Sequence, residues 1–270
     1  MASVEARRLK LWQGRVETEV AVSGKGPPLV YLHGPWGLGH DRAFLDRLGD
    51  GWTVYAPHHP GTTRGDPNAV HQLDDWLDLV VYHGELFDAL GLDKPILVGH
   101  SFGGMVACEI AAAHPSRVKS LVLIDPVGLW RDDAPVRNWM IFSDEERRRG
   151  LFADPVGEAA KRFFAVPSVA AERVAAVVGR TWSEACTGKF VWPIPDKGLK
   201  KRIHRIAAPT LVLWGEADGV IGAAYAREFA DRIAGARVAL VERAGHLPHL
   251  ERPDEVVSLV TGFLRNGARG

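Results

Sequence analysis

The stretch Pro95-Ile96-Leu97-Val98-Gly99-His100-Ser101-Phe102-Gly103-Gly104 decides how this 270-residue chain is read. Pro95–Val98 is a short apolar run of the kind that forms a strand buried on both faces. From about Phe102 to His114 the pattern is helical. Between the two stands Gly-x-Ser-x-Gly, and in a strand–turn–helix setting that motif is a nucleophile elbow. The turn strains the serine backbone and lifts its hydroxyl above the sheet. Strand and helix approach too closely there for a Cβ, so glycine is needed on either side of Ser101. The helix N-terminus behind the serine also favours developing negative charge.

The same strand signal recurs on both sides of the elbow. Leu29–Leu32, Trp52–Ala56, Leu121–Ile124, Thr210–Trp214 and Val238–Val241 are short, unbroken and apolar. Helical stretches separate most of them, at 71–90, 102–114, 222–234 and 253–265. Alternating strand and helix predicts a mostly parallel, doubly wound α/β sheet with helices on both faces. Before this series, residues 7–13 and 15–22 alternate in polarity around Gly14, the pattern of an antiparallel hairpin at a sheet edge.

One interval breaks the rhythm. From Gly128 to Ile206 there is no strand-like run, only patchy helix separated by Pro135, Pro155, Pro167 and Pro193–Pro195. The expected division is a core of residues 1–127 and 207–270 and a helical cap of 128–206. An insertion after the sixth strand hangs over the carboxyl ends of the strands, where open α/β sheets bind ligands. Four of the nine tryptophans fall in it, Trp130, Trp139, Trp182 and Trp192. They read either as the roof of an apolar pocket or as the glue of a small subdomain. Asp144-Glu145-Glu146-Arg147-Arg148-Arg149 reads as a solvated helix face.

A serine hydroxyl needs a general base, and the base needs an orienter. In chain order the expected sequence is Ser, then Asp or Glu, then His. His246 lies in a glycine-flanked loop after the last strand, and His249, beside Pro248, is its competitor. Asp218 lies in Gly215-Glu216-Ala217-Asp218-Gly219 after the strand Thr210–Trp214. Its rivals are Glu216 and, more seriously, Asp125 at the end of Leu121–Ile124. Pro126 restricts Asp125 to an extended backbone, so Asp125 reads as leading the chain into the cap. Leu32-His33-Gly34-Pro35-Trp36-Gly37 supplies a glycine-bearing loop beside the elbow. The Phe102 amide is the expected first oxyanion donor and this loop the source of the second. His33 reads as a buried brace of the loop. His58 and His59 lack metal-ligand spacing, so no metal is expected.

His-Gly-Pro-Trp-Gly, Gly-His-Ser-Phe-Gly-Gly, Leu-Trp-Gly-Glu-Ala-Asp and Gly-His-Leu-Pro-His-Leu-Glu-Arg-Pro, in this order, resemble the motif set of the α/β-hydrolase superfamily. The likeness runs from about residue 15 to 265 and is weakest in the cap. It implies an α/β-hydrolase fold, with an eight-stranded sheet, a cap after strand six and cofactor-free acyl chemistry. In similar enzymes the residue after His-Gly donates the second amide. Here that residue is Pro35, which has no N–H, so Trp36 becomes the donor expected, and its indole, with Trp130, Trp139 and Trp182, a wall for substrate.

A serine nucleophile argues against the dehalogenases and epoxide hydrolases of this superfamily, which attack through aspartate. Carboxylic ester hydrolysis is the leading expectation. Carbon–carbon hydrolases often carry tryptophan after the base, and hydroxynitrile lyases lysine, whereas this chain has Leu247. Lactonase and perhydrolase chemistry stay open, as does a non-catalytic ligand receptor. Thirty-three basic and thirty-three acidic residues cancel, which points away from nucleic acid and membrane surfaces. The N-terminal stretch reads as neither signal peptide nor anchor. Cys108 and Cys186 read as free thiols of a cytoplasmic protein, a monomer or homodimer whose partner is a small-molecule substrate.

Overall fold

A computed structural model describes residues 5–63, 66–193 and 196–267. Eight strands, β1 (Glu5–Leu11), β2 (Val16–Ser23), β3 (Pro28–Leu32), β4 (Thr53–Pro57), β5 (Ile96–His100), β6 (Ser120–Ile124), β7 (Thr210–Gly215) and β8 (Arg237–Val241), form one sheet in the order β1-β2-β4-β3-β5-β6-β7-β8. The hairpin β1–β2 is antiparallel, as is its junction with β4, and every later pairing is parallel. The expected α/β fold is therefore present, with its hairpin at one edge.

The α-helices of the described chain are α1 (Arg42–Leu48), α2 (Trp76–Ala89), α3 (Phe102–Ala113), α4 (Asp144–Leu151), α5 (Glu158–Phe163), α6 (Ala170–Val191), α7 (Ala224–Ala230), α8 (Pro248–Glu251) and α9 (Pro253–Gly267), with short 3-10 turns between some of them. Successive residues of a strand face opposite ways, and the central strands use both faces. Leu121 and Leu123 of β6 join the apolar layer under α2, α3 and α7, while Val122 and Ile124 join the layer under α1 and α9. Val256 and Val260 of α9 are buried in the second layer, each contributing about 1.5–3 kcal/mol by area.

Two helices are markedly shorter than the sequence reading. The helix expected over 71–90 starts at Trp76, because the Asp75 side chain accepts from the Leu77 and Asp78 amides and fixes the N-terminus there. The helix expected over 222–234 closes to Ala224–Ala230. The cap is less patchy than its prolines suggest, since α6 runs unbroken for 22 residues. Pro195 lies outside the described residues.

Polar bonds hold α4 to α6 to one another and tie α6 to the loop after β3. Arg147 is not part of a solvated face, as its run of charges suggests. It turns inward to pair with Glu184 of α6, their side chains 12 % and 11 % exposed. The Glu184 carboxylate also accepts from the Trp36 indole N–H at 2.6 Å. Removing one partner of a buried ion pair leaves the other charge uncompensated. Glu184→Ala is accordingly expected to destabilise the fold by about 3 kcal/mol, read as a lowered thermal midpoint. An unchanged midpoint would show that the pair contributes nothing.

Candidate active site

Ser101 sits between β5 and α3 with φ 52° and ψ −114°, the left-handed side of the backbone map that non-glycine residues rarely occupy. Neighbours hold it there: its amide donates to Ile124 at 2.9 Å, and its carbonyl accepts from Met105 and Val127. The flanking glycines are obligatory. A Cβ on Gly99 would lie 2.4 Å from the Gly103 carbonyl oxygen, and one on Gly103 would lie 2.0 Å from that of Leu32.

His246 arrives on the loop between β8 and α8, and Asp218 on the loop after β7. His246 Nε2 lies 2.9 Å from Ser101 Oγ, and Nδ1 lies 2.7 Å from Asp218 Oδ2. An ionised Asp218 can only accept, so Nδ1 carries the proton and Nε2 presents its lone pair to the serine O–H. The Val220 and Ile221 amides donate to Asp218 Oδ1 at 2.8 and 2.9 Å and fix the carboxylate. Ser101 and His246 are each 1 % exposed.

The competing residues are placed elsewhere. His249 Nε2 bonds Asp41 Oδ1 at 3.0 Å, and the Tyr31 hydroxyl donates to the other oxygen of Asp41. Glu216 stays outside the relay. Asp125 departs most from the sequence reading. Its φ is +44°, not extended. Its amide donates to Leu213, drawing β6 against β7, and these tertiary bonds override the local preference that Pro126 imposes. Its carboxyl points back toward the relay: Oδ1 accepts from the Gly215 amide at 2.9 Å.

The loop after β3 lies against the elbow, with Gly34 close enough that a Cβ there would sit 3.5 Å from that of Ser101. The Phe102 amide, at the first position of α3, has no helical carbonyl to bond. The indole of Trp36 is buried edge-on to His246, with centroids 5.8 Å apart, and edge-on to Phe163 of α5 at 5.9 Å. The other tryptophans divide. Trp139 is buried, its indole N–H without a partner among the described residues. Trp130 bonds Asp132, while Trp182, 37 % exposed, donates to the Gly61 carbonyl at 2.9 Å and is a strut from cap to core. Trp192 is exposed.

Several supporting residues escaped the sequence reading. His100 donates from Nε2 to the His246 carbonyl at 2.9 Å, steadying that residue from behind. Its place inside the elbow was the one available signal. Glu251 of α8 accepts from the amides of Gly245, beside His246, and of Ala153, just after α4. Nothing in the sequence marks Glu251, Asp41 or Glu184, because their partners lie far along the chain.

His33 braces its loop as expected, with Nδ1 donating to the Gly34 carbonyl and Nε2 accepting from the His59 amide. Burial pushes the His33 and His83 imidazoles down to about 4, and pushes His59 and His100 well below their ordinary value. Neutral rings are therefore what the fold favours. This contribution is complete above pH 6.5, the ordinary value, and is lost as pH falls from there toward 4. His33 and His83 each account for about 3 kcal/mol. The thermal midpoint, followed by circular dichroism, is expected to drop steeply between pH 6.5 and 4. A flat midpoint over that interval would contradict the neutral cluster.

The α/β hydrolase family profile matches residues 29–259. The chain belongs to the α/β hydrolase family, and it is an enzyme of that family. It is 30% identical over 232 residues to a monoacylglycerol lipase of Xenopus laevis, covering 78% of this chain and 66% of that protein, just under two thirds of its length. It is 26% identical over 264 residues to a 2-hydroxy-6-oxo-6-phenylhexa-2,4-dienoate hydrolase of Burkholderia cepacia, covering 91% and 90% of the two chains. A serine hydrolase from the polyaromatic-hydrocarbon-degrading bacterium Cycloclasticus zankles shares the fold, with a TM-score of 0.78, 22% identity, and 97% and 98% of the chains covered. Among the described residues no helix is long and apolar enough to cross a membrane.

Proposed function

We propose that the chain hydrolyses a small, largely apolar carboxylic ester through an acyl-enzyme, without a cofactor. The observation that supports this reading is the continuous relay Ser101–His246–Asp218, with contacts of 2.9 and 2.7 Å. In the proposed reaction Ser101 Oγ attacks the ester carbonyl carbon while its proton passes to His246 Nε2. The Phe102 and Trp36 amides donate to the resulting oxyanion. Collapse expels the alcohol, which takes the proton from Nε2 and leaves the acyl group on Ser101. Water, deprotonated by the same nitrogen, then releases the acid and restores the serine. Asp218 stays ionised throughout and stabilises the imidazolium.

The apolar rings around the serine support an apolar substrate: Trp36 and Phe163 on the cap side, Phe102 at the elbow. The likeness to the Xenopus laevis monoacylglycerol lipase favours an ester. That to the Burkholderia cepacia dienoate hydrolase keeps carbon–carbon hydrolysis as a second reading of the same relay. A panel of p-nitrophenyl esters of increasing acyl length, a lactone and a vinylogous diketone discriminates the two. Fastest turnover of a short or medium-chain ester carries the proposal. Exclusive turnover of the diketone replaces it, and labelling by a fluorophosphonate without turnover of any member would indicate another substrate class.

A further inference from the structure

Behind the relay stands a second carboxyl that ester hydrolysis does not require. Asp125, at the end of β6, is fully buried, and one of its oxygens, one of Asp218's and a ring nitrogen of His246 lie within 4.8 Å of one another. Asp125 Oδ1 takes the Gly215 amide, while Oδ2 is buried with no donor to bond among the described residues. Asp218 is already engaged by three donors, the Val220 and Ile221 amides and His246 Nδ1. Two ionised carboxylates this close, with a single amide on the outer one, would be a buried like-charge pair without a counter-ion.

We propose that Asp125 is a positioning residue: its carboxyl stays protonated and donates from Oδ2 to the Asp218 carboxylate, completing a chain Asp125–Asp218–His246–Ser101. This rests on the reading of Ser101, His246 and Asp218 as the relay. The charged and titratable groups facing Asp125 are Asp218 from the loop after β7, His246 from the loop after β8 and, farther off, Glu251 from α8. No basic side chain forms an ion pair with Asp125 among the described residues. Burial first, then the Asp218 charge, raises the Asp125 carboxyl well above the usual carboxylate range.

The shared proton would have two consequences. It holds Asp218 in the orientation that bonds Nδ1, and it draws off part of the Asp218 charge, so that the imidazolium of His246 is less strongly favoured than beside an unshared carboxylate. Activity then persists to lower pH than it otherwise would. The left-handed φ of +44° at Asp125 is consistent with this, since it is the backbone turn that aims the carboxyl back at the relay.

The test pairs a direct readout with a kinetic one. Infrared spectra of the wild-type enzyme at pH 7.5 should show the carbonyl band of a protonated carboxylic acid, absent from Asp125→Asn. Asparagine can accept from Gly215 and donate to Asp218 as the protonated acid does, so Asp125→Asn should keep kcat within about tenfold and leave the acidic limb of the pH–kcat/KM profile unmoved. Asp125→Ala removes the donor and should move that limb upward by about one pH unit. A missing carbonyl band, or an acidic limb that moves downward in Asp125→Asn as expected when an ionised neighbour is neutralised, overturns the proposal. If Asp125→Ala fails to fold, the spectrum and Asp125→Asn still decide. Wild-type enzyme that shows the band but turns over no ester would instead sink the reading of the relay.

Discussion

Ser101→Ala is expected to lower kcat by about 10⁴- to 10⁶-fold while leaving the fold intact. The hydroxyl is buried, accepts no capping bond from α3 and touches His246 through Oγ alone, so in the proposed mechanism its loss removes the attacking atom and little else. What remains is binding and the oxyanion donors, which give on the order of 10³–10⁴ over the uncatalysed rate. The φ of 52° stays imposed by the bonds to Ile124, Met105 and Val127, and alanine tolerates it no worse than serine. The thermal midpoint should therefore barely change. Near-wild-type turnover by this variant would mean that another atom attacks the substrate. Loss of fluorophosphonate labelling in parallel would tie the lost activity to this hydroxyl.

Asp218→Asn is expected to cost up to about 10⁴ in kcat, or about 5 kcal/mol of transition-state stabilisation. The tautomer is the reason. Asp218 Oδ2 requires a proton on His246 Nδ1, and that frees Nε2 to accept from the serine. An asparagine keeps the shape, its oxygen still accepting from Val220 and Ile221, but turns its N–H groups toward Nδ1. The ring then carries its proton on Nε2, pointing at Ser101, and cannot act as a base. Two aspartates at strand ends compete for this role, so kcat is best measured for Asp218→Asn and Asp125→Asn together, with folding followed by circular dichroism. Inactive Asp218→Asn beside active Asp125→Asn places the orienting acid after β7. The opposite pattern moves it to the end of β6.

These variants probe the part of the molecule that was most legible and the part that was least. The elbow could be read because its requirements are local: a strand, a helix and two glycines within five residues. The order of His33-Gly34, Ser101, Asp218 and His246 along the chain was legible for a similar reason, since each lies in a loop after an apolar run and parallel strands deliver such loops to one edge. The helix α6 was obscure because valines at 174, 177 and 178 face solvent, which erases the apolar stripe that marks an amphipathic helix. The role of Arg147 was hidden by its neighbours: in a run of six charges, nothing local says which one turns inward.

By itself the sequence determined the fold class, the serine at the elbow and the histidine and aspartate in the loops that reach it, because backbone geometry and strand order depend on residues close together in the chain. Only the tertiary structure decided what stands behind and above them. Asp125 turns back toward Asp218 because bonds to Leu213 and Gly215, some ninety residues away, outweigh the preference its own proline imposes. His249 is drawn to Asp41, Trp36 is fixed by Glu184 and Trp182 is tied to Gly61. Each of these is a hydrogen bond between groups distant in sequence, made because a buried polar atom must find a partner, and which partner it finds is settled only once the chain has packed.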